Sequence, residues 1–155
     1  MCIIIDANTI SKVFNEDDIN HKEFKPLLDW ILNDNGKIVY GGSKYFEELE
    51  LMAKYRSLFI QLGKARKTVE IPLDLVDFET EKAKEIIQHK DFDDQHLVGL
   101  VRASKCKLVC TSEKRAIRFL KNSDLYVKSI HRPKIYSSSK NADLLCKNNI
   151  AKCCK

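Results

Sequence analysis

Glycine and proline are scarce in this chain, with five and three residues among 155. Collagen-like repeats and long flexible linkers are thereby excluded. No apolar run approaches the roughly 20 residues that a membrane helix needs. The opening Met1-Cys2-Ile3-Ile4-Ile5-Asp6 has no basic residue and too short an apolar stretch for a secretory signal, which points to a cytoplasmic protein. No two cysteines have the CxxC spacing, which argues against a structural zinc knuckle. The six cysteines, at positions 2, 106, 110, 146, 153 and 154, are expected to be reduced thiols. The adjacent Cys153 and Cys154 read as a flexible end or a reactive pair. There is no internal repeat.

A hydrophobic fraction of 44% over this length suits one domain with a real core. The net charge of +5 is spread unevenly. From Lys114 to Lys155 there are 11 Lys or Arg against two acids, Asp124 and Asp143, a local balance of +9. The 113 residues before that segment therefore sum to −4. Such asymmetry suggests an anionic partner, most simply nucleic acid, rather than an evenly solvated surface.

Strand and helix patterns alternate along the chain. Cys2 to Ile5 is too apolar to have a wet face and predicts a central strand. A short helix follows over Ala7 to Phe14, and another over His21 to Asn33, with Phe24, Leu27, Leu28 and Ile31 on one stripe. Lys37 to Tyr40 predicts a second strand. Gly41-Gly42-Ser43 is a tight turn into a long helix over Lys44 to Leu62, with Ser43 as its cap. Thr68 to Pro72 reads as an edge strand. Asp77 reads as the cap of a helix running to His89, with Ala83, Ile86 and Ile87 inward. After the acidic loop Asp91-Phe92-Asp93-Asp94, a helix carries Leu97, Leu100 and Val101 inward. Leu108 to Cys110 predicts a buried strand, and Thr111 or Ser112 caps a helix through Leu120. Tyr126 to Ile130 reads as the last strand, followed by irregular chain from Pro133, a short helix near Asn141 to Cys146, and a frayed tail from Asn148. The alternation predicts an α/β fold with a mainly parallel sheet.

Four carboxylates fall at or just beyond strand ends: Asp6, Glu48, Asp94 and Glu113. Each has an ordinary alternative, as a helix cap, a dipole partner or a surface residue. Their coincidence at the end of the sheet where open α/β proteins place their sites favours function. Carboxylates crowded into one pocket repel and hold their protons more tightly, and a divalent cation resolves that. Oxygen-only ligands favour Mg²⁺ or Mn²⁺.

Over residues 2 to about 130 the chain resembles the PIN-domain ribonucleases. The likeness rests on Ile3-Ile4-Ile5-Asp6-Ala7-Asn8, on Glu48-Leu49, on Asp94-Gln95-His96-Leu97-Val98-Gly99-Leu100, and on Leu108-Val109-Cys110-Thr111-Ser112-Glu113. The resemblance implies a three-layer α/β/α sandwich and does not cover the chain beyond Ile130; the domain is expected over 1–136, with 137–155 as a partly flexible extension. It also implies an Mg²⁺ or Mn²⁺ site and cleavage of single-stranded RNA. Many such proteins are toxins of toxin–antitoxin pairs, so an antitoxin, another protein or a second copy of the chain are partner classes to test. The family usually has Asp where this chain has Glu113, whose side chain is one methylene longer.

On this reading Asp6 and Asp94 hold the first cation, Glu48 orients or deprotonates the attacking water, and Glu113 helps a second, weaker cation. Asn8 and Thr111 orient Asp6 from behind. Lys114, Arg115, Arg118 and Lys121, on the helix after Glu113, bind the RNA strand. The alternatives are a PIN-like module that binds RNA or protein without cutting, and a structure-specific DNA nuclease. A phosphatase that begins with a strand and an aspartate would need a second Asp two residues on, and position 8 is Asn.

Overall fold

In a computed structural model that describes residues 1–155, the strand Cys2–Ile5 (β1) lies at the centre of the sheet. All four of its residues are fully buried, as an apolar strand with no wet face requires. It pairs in parallel with Lys37–Gly41 (β2) on one side and Leu108–Cys110 (β4) on the other. Thr68–Ile71 (β3) extends the β2 side, and Lys134–Tyr136 (β5) extends the β4 side. The order is β3-β2-β1-β4-β5, with every pair parallel.

Helices Ile10–Phe14 (α1) and His21–Asn33 (α2) connect β1 to β2. Ser43–Glu50 (α3) and Ala53–Lys64 (α4) lead to β3. Leu73–Ile86 (α5) and Gln95–Ser104 (α6) carry the chain back past β1 to β4, and Lys114–Leu120 (α7) follows. The sheet is flanked by helices in a three-layer α/β/α sandwich, the fold class expected from the alternation.

Two glycines set the helices that carry acids. Gly42, with φ of 89°, makes the turn from β2 into α3, and a Cβ there would strike Val76. Gly99 of α6 lies so close to α5 that a Cβ would collide with the buried Thr80. That approach holds the start of α6 at the carboxyl end of the sheet.

Several expected boundaries move. The long helix over Lys44 to Leu62 is broken at Leu51 and Met52. In one straight helix, Leu62 would lie about 100° around from Tyr45. The break lets Tyr45 and Leu49 on α3, and Phe59 and Leu62 on α4, all reach the core. Asp77 does not cap its own helix, which begins four residues earlier at Leu73 and ends at Ile86 rather than His89. It instead accepts the Ser43 N–H at 2.8 Å, so it serves the start of α3 across the fold. Ile86, expected inward, is exposed.

Tyr126 to Ile130 is not a strand. It contains irregular chain and the start of a 3₁₀ turn, and Val127 and Ile130 are exposed. The last strand is β5, three residues long and directly after Pro133, which has no N–H to offer a ladder. The chain near Asn141 to Cys146 is a 3₁₀ segment over Ser139–Leu144 rather than an α-helix.

The tail, expected to fray, folds back onto the body. Ser139 donates its N–H and hydroxyl to the Glu23 carboxylate of α2, at 3.1 and 2.7 Å. Asn149, Ala151 and Cys154 are buried. Cys154 is joined to Cys2 in a disulfide with Cα atoms 6.0 Å apart, in place of the expected reduced thiols. The tail is built from 3₁₀ turns, which have no long apolar period to read.

Candidate functional site

The chain leaves β1 toward β2 and β3, then returns to β4 on the opposite side of β1. The strand order therefore reverses between β1 and β4, and the crevice beyond their carboxyl ends is where an open α/β sheet offers a site. Asp6 stands there, directly after β1. Its N–H donates to Cys110 O at 2.9 Å, which continues the pairing one residue past the strand.

The Asp6 side chain is only 1% exposed and is held from two directions. Thr111, directly after β4, donates its hydroxyl to Oδ2 at 2.7 Å. The Asn8 main-chain N–H donates to Oδ1 at 3.2 Å. Thr111 Oγ1 also accepts the Glu113 N–H at 3.1 Å. Asn8 contributes through its backbone, and its side chain faces solvent. Burial pushes the Asp6 carboxyl above its ordinary pKa, the Thr111 and Asn8 hydrogen bonds oppose that, and the Glu48 charge adds to the rise.

Asp94 occupies the cap position of α6 but makes no capping hydrogen bond. Its pKa is raised first by burial, then by the Asp6 charge, with Glu48 and Asp93 adding to the rise and His96 opposing it. Asp94 therefore belongs electrostatically to the Asp6 and Glu48 group more than to its own helix end.

Glu48 comes from the second turn of α3. Beneath it, the buried Tyr45 hydroxyl donates to Ile5 O at 2.7 Å and ties α3 to the end of β1. Glu48 Oε2 lies 3.1 Å from Nε2 of His96, which is buried at the start of α6. The approach is close enough for an ion pair but off the line of a hydrogen bond, which leaves that ring nitrogen without one. His96 is the basic side chain set against Glu48. It sat unnoticed inside the Asp94 motif, because nothing in local spacing pairs it with a residue on α3.

Lys12 was also missed. From α1 it donates Nζ to Ser112 Oγ at 2.6 Å, which places a cation on the loop after β4. The two residues are 100 positions apart, so no sequence pattern joins them.

Glu113 stands apart. It is exposed at the start of α7 and makes no capping bond. Its charge is not among the causes that raise Asp6 or Asp94. The structure thus brings Asp6, Glu48 and Asp94 together and leaves Glu113 at the rim. The three carboxylates face one another loosely: they do not converge within 4.8 Å, a distance that only Cys2, Cys153 and Cys154 meet among possible ligand groups.

On α7, Lys114, Arg115, Arg118 and Lys121 are all exposed, while Ala116, Phe119 and Leu120 are buried. Arg115 lies 3.5 Å from Asp93, both well exposed, so that pair contributes little to stability. Arg118 lies over the Phe119 ring at 5.3 Å. Lys121 lines a cavity with Arg132 and Lys134. The helix therefore runs as a basic ridge away from the acids.

No helix is long and apolar enough to cross a membrane. No family model matches this sequence, and neither the curated proteins nor the solved structures compared with it provide a match, so the site is interpreted from its own chemistry.

Proposed function

We propose that this chain is a cytoplasmic, Mg²⁺- or Mn²⁺-dependent endoribonuclease that hydrolyses phosphodiester bonds of single-stranded RNA, in the manner of the PIN-domain proteins it resembles. The observation that carries this reading is the placement of Asp6, Glu48 and Asp94 at the switch point of a parallel sheet, with His96 set against Glu48. The Asp6 and Asp94 carboxyls are raised first by burial, with neighbouring negative charge adding to the rise, and a divalent cation would offset that charge. All three donors are oxygens, which suits a hard cation that keeps several waters and takes only one or two carboxylates directly.

Asp6, fixed by Thr111 and the Asn8 N–H, and Asp94 are the residues that would hold the cation. When bound, the cation lowers the pKa of water and neutralises charge on the phosphate. Glu48, anchored through Tyr45 and flanked by His96, takes the proton of the attacking water at a carboxylate oxygen. Lys114, Arg115, Arg118 and Lys121 hold the RNA backbone along α7, with Lys12 at the other rim. Glu113, facing solvent, is left with a weaker cation or none. Leu75 and Phe78, exposed on α5, provide an apolar face for a protein partner such as an antitoxin.

The loose spacing of the acids and the outward position of Glu113 favour one rival, a module that binds RNA without cutting it. The deciding experiment incubates purified protein with single-stranded RNA or DNA in Mg²⁺, Mn²⁺ or EDTA. Cleavage of RNA that depends on the metal supports the proposal. RNA binding without cleavage supports the rival, and preferential cleavage of DNA transfers the activity to a DNA nuclease.

A further inference from the structure

Four cysteines meet at the opposite, amino end of the sheet. Cys2 opens β1, Cys106 lies just before β4, and Cys153 and Cys154 sit in the final 3₁₀ turn, Lys152–Cys154. Cys106 Sγ is 3.9 Å from Cys2 Sγ, and Cys153 Sγ is 3.4 Å from Cys154 Sγ. The Cys2–Cys154 disulfide lies between these two contacts. The sulfurs of Cys2, Cys153 and Cys154 all lie within 4.8 Å of one another. Cys2, Cys106 and Cys154 are buried and Cys153 is partly so.

We propose that Cys2, Cys106, Cys153 and Cys154 form a thiolate site for a soft or borderline divalent cation of the zinc class, which clamps the end of the chain onto the first strand, and that the Cys2–Cys154 disulfide is the metal-free alternative of the same cluster. The two forms exclude each other, because a disulfide sulfur has no thiolate to give; a thiol or phosphine reductant supplies the two electrons that break the S–S bond and leave two thiolates for the cation. Three independent features support the metal form.

The first is distance. Zinc–sulfur bonds of about 2.3 Å in a tetrahedron place sulfurs about 3.8 Å apart. The Cys2–Cys106 and Cys153–Cys154 separations already bracket that value. Cys2 and Cys154 must part, and Cys106, which does not yet lie within 4.8 Å of all the other three sulfurs, must close on them. The second is economy of placement: a disulfide employs two of the sulfurs and gives no reason for the Cys106 thiol to be set against it from another part of the chain.

The third is charge. Four thiolates around a divalent cation leave a net negative site. Lys105, Lys107, Lys152 and Lys155 line an adjacent cavity of about 340 Å³ that has no acid in its wall. This is the reverse of the carboxyl end, where acids lack cations. It also separates the two metals by chemistry, since sulfur selects a zinc-class ion and oxygen selects Mg²⁺ or Mn²⁺. The proposal does not rest on the nuclease reading.

The test uses the full chain, reduced with a phosphine without oxygen and titrated with Co²⁺. The expected result is thiolate-to-cobalt charge-transfer absorption and the visible bands of a tetrahedral site that saturate at one ion per chain, both lost when Zn²⁺ displaces it. Cys153→Ser and Cys106→Ser should each weaken binding by at least about tenfold, the low end for even an outer partner of a metal ligand. Cys146→Ser should leave the spectrum unchanged. Cys153 is partly exposed, so its variant remains informative if the buried Cys106→Ser fails to fold. Reduced, folded wild-type protein that shows no thiolate–cobalt absorption would overturn the proposal. So would a folded Cys153→Ser variant that binds as wild type does.

Discussion

The two ends of the sheet are chemical opposites. At the carboxyl end, Asp6, Glu48 and Asp94 gather oxygen and negative charge around one histidine. At the amino end, sulfurs lie beside cavities walled by Lys105, Lys107, Arg132 and Lys134. A wholly parallel sheet helps to sort charge in this way. The helices that follow its strands begin near the carboxyl end and finish near the amino end. Helix starts favour anions, and Asp94 sits at one such start. Helix ends favour cations, and Lys64, Lys84, Arg102 and Arg118 occupy last turns of α4, α5, α6 and α7. The lesson is that one topology can gather oxygen donors at one end of a small domain and sulfur donors at the other. The ridge of α7 joins the two ends.

The strongest way to break the comparison is at the acids. Asp6→Asn or Asp94→Asn should slow RNA cleavage by more than about 100-fold, beyond the usual cost of losing an outer partner of a ligand. Single-turnover cleavage by variants with wild-type circular dichroism checks this, and wild-type rates would misplace the site. The same variants should leave the cysteine cluster untouched.

A smaller effect is expected along the ridge. Reversing Arg118 and Lys121 to Glu should weaken RNA binding at low salt and reduce the slope of log affinity against log salt by about 1.4, for two lost contacts to a single strand. Metal affinity should not change. Filter binding across a salt series reads the effect. Normal RNA binding together with loss of a protein partner would reassign the basic face to that partner.

The pH dependence sharpens the contrast further. Asp6 and Asp94 both have pKa values raised above 3.8 in the folded protein, chiefly by burial. They hold protons more tightly folded than unfolded, so their contribution to stability is present at low pH and is lost as pH rises above 3.8 through the folded values. In EDTA, thermal melts should therefore show wild type losing stability relative to Asp94→Asn across that window. Added Mg²⁺ should remove the difference. A difference of the opposite sign would mean that the acids are already well paired.

The smallest effect is expected at Glu113. Because it faces solvent, Glu113→Gln should cost less than about 1 kcal/mol of stability, as a helix-start charge does. Its cleavage rate should stay close to wild type. A loss comparable with that of Asp94→Asn would restore Glu113 to the site as a fourth carboxylate.

Much of the fold was legible because its signals are local. The run Cys2-Ile3-Ile4-Ile5 has no polar face, so it had to be a central strand, and Asp6 at its exit had to be unusual. The stripe of Phe24, Leu27 and Ile31 set α2 directly. β5 was not legible, since three residues after a proline carry too little period to distinguish from Tyr126 to Ile130. Nor was the break at Leu51, where apolar residues continue and only their angular drift betrays a change of axis. At the site, the acids could be picked out by their positions at strand ends. His96 and Lys12 could not, because their partners are Glu48 and Ser112 on other elements.

The sequence by itself determined the alternation of elements, the burial of β1 and the identity of the acids that stand beyond strand ends. Those follow from apolar periodicity, which depends only on near neighbours along the chain. Tertiary structure decided that Thr111 grips Asp6, that Glu113 turns outward, and that Cys2 meets Cys154 from 152 residues away. Those contacts depend on strand order and on the point where the winding reverses. No local pattern encodes that order, because it is selected by how the whole set of apolar faces can be buried at once.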